Sequence, residues 1–407
     1  MTVTRLKKYA QLIAMAGINV QPGQEVLINA DLDQPKFVEY LVEACYKAGA
    51  SKVIVNWSHQ PLTRLHVKHQ SGDTLSRVEN WEVARLQHQV DTMPAVIHLM
   101  SEDPDGLSGI DTEKYHRAMQ ARYQIIKPMR DAMENHQQWC IAAVPGAAWA
   151  KKVFPDLRKS AAIEKLWEAI LTTSRVDEDP VRAWQIHNTN LHEKCDYLNS
   201  LGLRALRYKA GNGTDFRVGL IPDALFMGGA EKTLDGVIIN PNIPSEEIYI
   251  SPMRGVADGI VYSSRPLSYR GVMIEDFSIR FQEGRAVEVH AARNEELLRQ
   301  IISMDEGAAY LGECALVPYD SPICRSGITF YNTLFDENAA CHLALGRGFS
   351  NCLADYEKYS LAEAAKKGIN DSMIHEDFMI GTKDLSIDGE LADGKTVPIF
   401  RNGNWAF

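Results

Sequence analysis

No stretch of this 407-residue chain approaches the ~20 consecutive apolar residues that a membrane-spanning helix needs, so no span is expected. The opening segment, MTVTRLKKYA, runs directly into a helical pattern and lacks both an apolar signal region and a small-residue cleavage site. Cysteine is sparse. Its seven residues, an odd number with no C-x-x-C pair, do not make a disulfide framework in a chain this long. Excess positive charge is also lacking: Lys and Arg total 43 against 53 Asp and Glu, a formal net charge of −10. The basic face of a general nucleic-acid binder is therefore not expected. These absences point to a cytoplasmic protein of a reducing compartment, with neither nucleic acid nor membrane as partner. The 45% apolar and 24% charged residues are an ordinary globular composition. At about 150 residues per domain, the length suits two or three domains.

Several chemistry-bearing motifs are missing as well. There is no G-x-x-x-x-G-K-[ST] for a nucleotide phosphate. Gly211-x-Gly213 and Gly346-x-Gly348 lack a third glycine and the strand-to-helix context of a dinucleotide fingerprint. His192-Glu193 and His375-Glu376 have no second histidine at the spacing of H-E-x-x-H, and no G-x-S-x-G occurs. A nucleotide cofactor is not expected.

The first half of the chain alternates helical and strand patterns. Leu6, Tyr9, Ala10, Ile13 and Ala16 recur at helical spacing up to Gly17, and a second helical pattern runs from Phe37 to Ala48, closed by Gly49. Between and after them stand short apolar runs at Val26–Ile28, Val53–Val55, Ala95–Ile97 and Cys140–Val144, with helical stretches around 74–90, 112–136 and 160–172. Continuous apolar strands separated by helices are the mark of a parallel sheet covered on both faces. Asp179 suits an N-cap, Pro180 the first helical position and Gly202 the residue after a helix. Beyond Gly202 the period changes to two. Leu203–Ala210 and Phe216–Leu220 flank Gly211-Asn212-Gly213 as a hairpin, and Phe277, Ile279 and Phe281 alternate before a Glu283-Gly284 turn. One helix, from about Glu295 to Met304, interrupts these strands. The expected fold class is α/β: an N-terminal three-layer α/β domain with a mostly parallel sheet over 1–190, then a C-terminal α+β domain rich in antiparallel strands over 191–407.

Only His290, His342 and His375 of the twelve histidines lie beyond residue 200. In His375-Glu376-Asp377 a strand period of two aims His375 and Asp377 at one face, where an imidazole and a carboxylate can hold one divalent ion. The same triplet also suits the polar face of a surface strand. His342 fits a core histidine satisfied by a backbone carbonyl. Glu313, placed at a helix-to-strand turn, enters a strongly apolar run, and a buried carboxylate is costly unless paired or metal-bound. Glu246 and Glu247, if on a strand, face opposite ways.

Resemblance brings these residues together. The stretches 240–252 (NPNIPSEEIYISP), 311–318 (LGECALVP), 320–322 (DSP), 331–346 (YNTLFDENAACHLALG), 368–372 (GINDS) and 400–407 (FRNGNWAF) resemble the thermophilic aminopeptidase family of metallopeptidases. That family comprises aminopeptidases T, S and II and related bacterial leucyl aminopeptidases. The likeness is nearly continuous from about residue 205 onward and looser in the first half, which would serve as scaffold and dimer domain to a catalytic second half.

The resemblance implies a metal-dependent exopeptidase that removes N-terminal residues from small peptides, using a water activated by two metals, and working as a homodimer. The family's metal positions fall on Glu247, Glu313, Glu337, His342, His375 and Asp377, with Glu313 the candidate bridging carboxylate. Two divalent ions per subunit are implied, and zinc, cobalt, manganese or magnesium all suit six oxygen and nitrogen ligands without thiolate. Glu246 is the candidate general base, by analogy with two-metal aminopeptidases that pair a ligand acid with a catalytic one. Strand alternation would aim it away from its neighbour's metal. Cys314 and Cys341 are taken as packing. One departure concerns the substrate pocket: where relatives usually carry tyrosine then proline, this chain has Phe349-Ser350. A homologue that binds metal with weak or no peptidase activity, and a metallohydrolase of another amide, are the alternatives.

Overall fold

The computed structural model describes residues 1–269 and 271–407. The short apolar runs become β1 (Glu25–Asp31), β2 (Lys52–Ser58), β3 (Ala95–Met100) and β4 (Trp139–Ala143). They pair in parallel in the order β2-β1-β3-β4, with Ile28 opposite both Val55 and Ile97. Central β1 and β3 are buried along most of their length, whereas edge strand β2 is half-covered and leaves Trp57 exposed. The helix Pro35–Ala48 ends where Gly49 takes φ 113°, a left-handed conformation open to glycine. Over one face of the sheet Phe37 packs between Tyr9 and Trp167, each ring centroid 5.4 Å away. The Tyr9 hydroxyl donates to the Ala143 carbonyl at 3.1 Å, tying this cluster to β4.

Local differences from the sequence reading have physical causes. The stretch expected around 74–90 is two helices, Gly72–Ser76 and Asn80–Thr92, and the one expected to 136 ends at Met133. Helices Gln60–His69 and Ala147–Val153 are additional. The first buries only Val67, so it carries no apolar stripe to read. The Asp179 carboxylate accepts the Arg182 N–H at 3.1 Å at the start of helix Pro180–Ser200, and Gly202 follows it at φ 60°.

The chain forms two compact units. One gathers Met1–His187 and Ala230–Ser245, the other Asn188–Gly229, Glu246–Tyr269 and Met273–Phe407. The return of 230–245 to the first unit has a visible cause. Ile141 of β4 donates to the Pro241 carbonyl at 2.7 Å and accepts from the Ile243 N–H at 2.9 Å, so this segment extends the β4 edge.

The second unit holds two sheets. In the larger, antiparallel one, Ala205–Lys209 and Asp215–Leu220 form the expected hairpin, with Tyr208 opposite Phe216. The smaller sheet comprises β5 (Ile248–Ile250), β6 (Leu311–Leu316), β7 (His342–Gly346) and β8 (His375–Met379). Its order is β8-β7-β6-β5, all antiparallel. β5, β6 and β7 are buried throughout, which matches their continuous apolar sequence.

Candidate metal centre

Register decides which side chains of the small sheet meet. Glu313 stands opposite Ala344, and Ala344 stands opposite Asp377, so the three form one row across β6, β7 and β8. Directly opposed residues share a face. His342, two residues before Ala344, and His375, two before Asp377, lie on that same face. Beyond His342, the middle strand presents small residues on this face: Ala344 in this row and Gly346 opposite His375. Gly346 has φ 96°, and a Cβ there would stand 2.2 Å from the Ile374 carbonyl oxygen, so no other residue fits. Glu313 thus sits inside β6, not at the turn before it; that turn is the short 3₁₀ segment Gly307–Ala309.

The donor atoms converge. His375 Nε2 lies 3.0 Å from Glu313 Oε2 and 3.4 Å from Asp377 Oδ1. His342 Nε2 lies 3.2 Å from Glu247 Oε2 and 4.0 Å from Asp377 Oδ1. Two triads result, Glu247–Glu313–His342 and Glu313–His375–Asp377, each with its donor atoms within 4.8 Å of one another and with Glu313 common to both. The remaining two acids lie outside the strands. Glu247 and Glu246 occupy the segment just before β5, outside any strand, which corrects the strand placement, and both are buried. Because no ladder governs this segment, the alternation argument against Glu246 does not apply. Glu337 opens the one-turn 3₁₀ helix Glu337–Ala339 and is buried close enough to feel the charges of Asp377, Glu247 and Glu313. It is not a member of either triad.

Outer contacts fix how these groups present themselves. His375 Nδ1 faces the Arg347 carbonyl at 2.7 Å, and His342 Nδ1 faces the Ala340 carbonyl at 3.1 Å. A carbonyl only accepts, so each Nδ1 carries a proton and donates it, which leaves Nε2 of the neutral ring a lone pair. The Asn338 side-chain amide donates to Glu337 Oε1 at 3.2 Å and to the Leu334 carbonyl at 2.9 Å, and its oxygen accepts the Glu246 main-chain N–H at 2.6 Å. Phe349 packs against His375 with ring centroids 4.8 Å apart and against Tyr249 at 5.3 Å.

Electrostatically the site is overloaded with negative charge. Burial pushes the Glu313 carboxyl up to about 7, with His375 pulling the other way. Burial, reinforced by Asp377 and Glu247, holds Glu337 well above the usual carboxylate range. For His342 burial opposes the charge, yet the hydrogen bond and charge of Glu247, with Asp377 and Glu313, carry it up to about 10. Burial likewise opposes charge on His375, which Asp377 and Glu313 nevertheless raise. For Asp377 burial is outweighed by the two histidines, and its carboxyl is lowered.

This donor set fits a divalent metal. Asp377 Oδ1 is buried with no hydrogen-bond partner, facing two imidazole nitrogens whose own protons point away. Lone pairs aimed at one another in a dry pocket need either protons or a cation between them. Carboxylates and imidazoles without thiolate suit zinc, cobalt, manganese or magnesium. The thiols of Cys314 and Cys341 are buried, and Cys341 Sγ instead meets the Val317 carbonyl at 3.3 Å. Two features escaped the sequence reading. Asn338 lay in plain view beside Glu337 with no chemistry of its own, and the spacer role of Ala344 exists only once register is known.

The chain resembles known metalloproteases and aminopeptidases over nearly its whole length. The family model described as thermophilic metalloprotease (M29) matches residues 2–405. The aminopeptidase AmpS of Bacillus subtilis (strain 168) is 41% identical over 405 residues, covering 99% of this chain and 98% of its own. Aminopeptidase 2 of Geobacillus stearothermophilus is 40% identical over 404 residues, with the same coverage. The solved structure of wild-type AmpT from Thermus thermophilus superposes with a TM-score of 0.88 at 38% identity, covering 99% of each chain.

Proposed function

The chain belongs to the thermophilic metalloprotease (M29) family, and on that premise we propose a two-metal aminopeptidase cleaving single residues from free peptide N-termini. That it is a metallo-aminopeptidase follows from the family together with relatives named aminopeptidase. The observation carrying the two-metal reading is the pair of triads that share Glu313. Charge counting supports it. Glu247, Glu313, Glu337 and Asp377 bear up to four negative charges in a buried pocket, and two divalent cations would balance them.

Glu247, Glu313, Glu337, His342, His375 and Asp377 would hold the ions, Glu313 serving both. Bound there, divalent cations supply Lewis acidity for a peptide carbonyl and lower the pKa of water. Glu246 accepts a proton from the attacking water and passes it to the departing amine as the C–N bond breaks. Its main chain is pinned by Asn338, so the carboxylate works from a fixed base. Phe349, packed against His375, forms an apolar wall of the substrate pocket. His342 and His375 keep their Nδ1 protons on backbone carbonyls, which holds Nε2 toward the centre.

We read the second half, 191–407, as the catalytic domain and the first, 1–190, as scaffold and dimer domain. The half-covered β2 and the exposed Trp57, Leu62, Leu65 and Trp81 support an apolar contact surface there. The seven cysteines, none of them joined in a disulfide among the described residues, support a reducing, cytoplasmic setting. The test strips the protein with chelator and restores cobalt, zinc, manganese or magnesium singly, beside His375→Ala. Release of residues from free but not acetylated N-termini, returning with metal in the unsubstituted protein alone, is the expected result. Metal bound without turnover on any peptide would overturn it.

A further inference from the structure

Four of the six candidate ligands sit on strands, where ladder hydrogen bonds fix their main chain: Glu313, His342, His375 and Asp377. The other two do not. Glu247, with Glu246, lies in a segment outside any ladder, and Glu337 lies on a single 3₁₀ turn. Some other contact must hold these two pieces of chain in register with each other, and one fully buried side chain touches both.

We propose that Asn338 is the positioning residue that clamps Glu337 to the Glu246–Glu247 segment and thereby sets the metal affinity of the centre, an inference that rests on reading the cluster as a metal site. Asn338 is wholly buried, and its amide is used to near capacity. One amide proton goes to the Leu334 carbonyl, within its own turn, and the other to Glu337 Oε1. The oxygen accepts from the Glu246 N–H at 2.6 Å. The amide has one possible orientation. Turned over, it would set NH₂ against the Glu246 N–H and its oxygen against both the Leu334 carbonyl and the Glu337 carboxylate. A rotamer so determined transmits position. The turn bearing it is itself anchored next door, where Asp336 accepts the Phe330 and Asn332 N–H groups at 3.0 and 3.1 Å. Glu246 and Glu247 are adjacent, so the same bond fixes the proposed base and one ligand relative to the ligand on the facing turn.

Outer contacts of this kind are worth about 10–100-fold in metal affinity. The experiment measures zinc affinity by competition with a chromogenic chelator for the unsubstituted chain, Asn338→Ala, Glu337→Ala and the double variant, each checked by unfolding without metal. Asn338→Ala is expected to weaken zinc binding at least tenfold in the natural background and less than threefold when Glu337 is already alanine. A side chain that merely fills the core would lower metal-free stability equally in both backgrounds and leave zinc affinity alone. Unchanged affinity in Asn338→Ala, or equal losses in the two backgrounds, overturns the proposal. Should the alanine variant not fold, Asn338→Ser carries the same expectation, since it leaves room for a water at the Glu246 N–H. Zinc bound without peptide cleavage by the unsubstituted chain would count against the peptidase reading alone; no zinc binding at all would overturn both.

Discussion

Glu313 and Asp377 face each other across Ala344, one residue from each of three adjacent strands. Strands in a sheet lie about 4.8 Å apart, so the two acids are anchored roughly 10 Å from each other and reach inward over the middle strand. Only a small residue at 344 leaves that space clear. The centre is therefore as much a product of what β7 omits as of what its neighbours supply.

Ala344→Leu is expected to fill this space. Overpacking of a buried position costs about 1–3 kcal/mol of stability, and here the added carbons also stand between donor atoms. Metal bound per chain, measured by atomic emission after dialysis, should fall to a small fraction, with activity falling in parallel. Ala344→Gly, which keeps the space, should retain metal.

Metal binding is expected to strengthen with pH in a particular pattern. In the metal-free protein Glu313, raised to about 7 by burial, holds a proton below that pH. His342, raised to about 10 by Glu247 and the other carboxylates against the effect of burial, holds one throughout the neutral range. A cation must displace both, together with the protons that the raised His375 and Glu337 hold, and each displaced proton makes affinity rise about tenfold per pH unit. The rise should be steeper from about pH 6 to 7, where the Glu313 proton adds to the rest, than above about pH 8, where Glu313 is already ionised. Chelator competition at a series of pH values reads the slope; a flat profile would contradict it.

Much of this was legible before the fold was known, and the reasons are particular. His375 and Asp377 share a face because a strand repeats every two residues, and Glu313 stood out as an acid inside an apolar run. Asp179, Pro180 and Gly202 announced a helix by capping chemistry alone. What stayed hidden was long-range. Register between β6, β7 and β8 leaves no mark in any one segment, so convergence of the ligands came from resemblance. Glu246 and Glu247 read as strand because the apolar run Ile248–Ile250 follows them, but pairing with β6 begins only at Ile248. The helix Gln60–His69 escaped because a helix burying one residue has no periodicity to detect.

Phe349 presents the ring without the hydroxyl that a tyrosine would carry there. Its ring is already packed between Tyr249 and His375, so Phe349→Tyr adds an oxygen without removing that contact. If the hydroxyl aids the tetrahedral intermediate, kcat should rise by about tenfold or more, on the scale of a single oxyanion donor. Zinc affinity should not change. Phe349→Ala should instead raise KM for substrates with large apolar N-terminal residues, because the wall of the pocket is gone. Steady-state kinetics on leucyl and alanyl anilides distinguish the two effects.

Glu246→Gln gives the sharpest division between holding metal and performing proton transfer. A contact that places this residue runs through its main-chain N–H to Asn338. Exchanging an oxygen for NH₂ at the side-chain tip therefore leaves the segment anchored and Glu247 in place. Metal content and zinc affinity should match the unsubstituted chain. The amide, however, has no basic lone pair with which to take a proton from water, and loss of a general base typically costs about 10²–10⁴ in rate. The fall should appear in kcat, with KM little altered. Glu247→Gln provides the contrast: it removes a charge from the triad with Glu313 and His342, so metal affinity should fall first and turnover with it. Near-full turnover in Glu246→Gln would move the base to another group of the cluster.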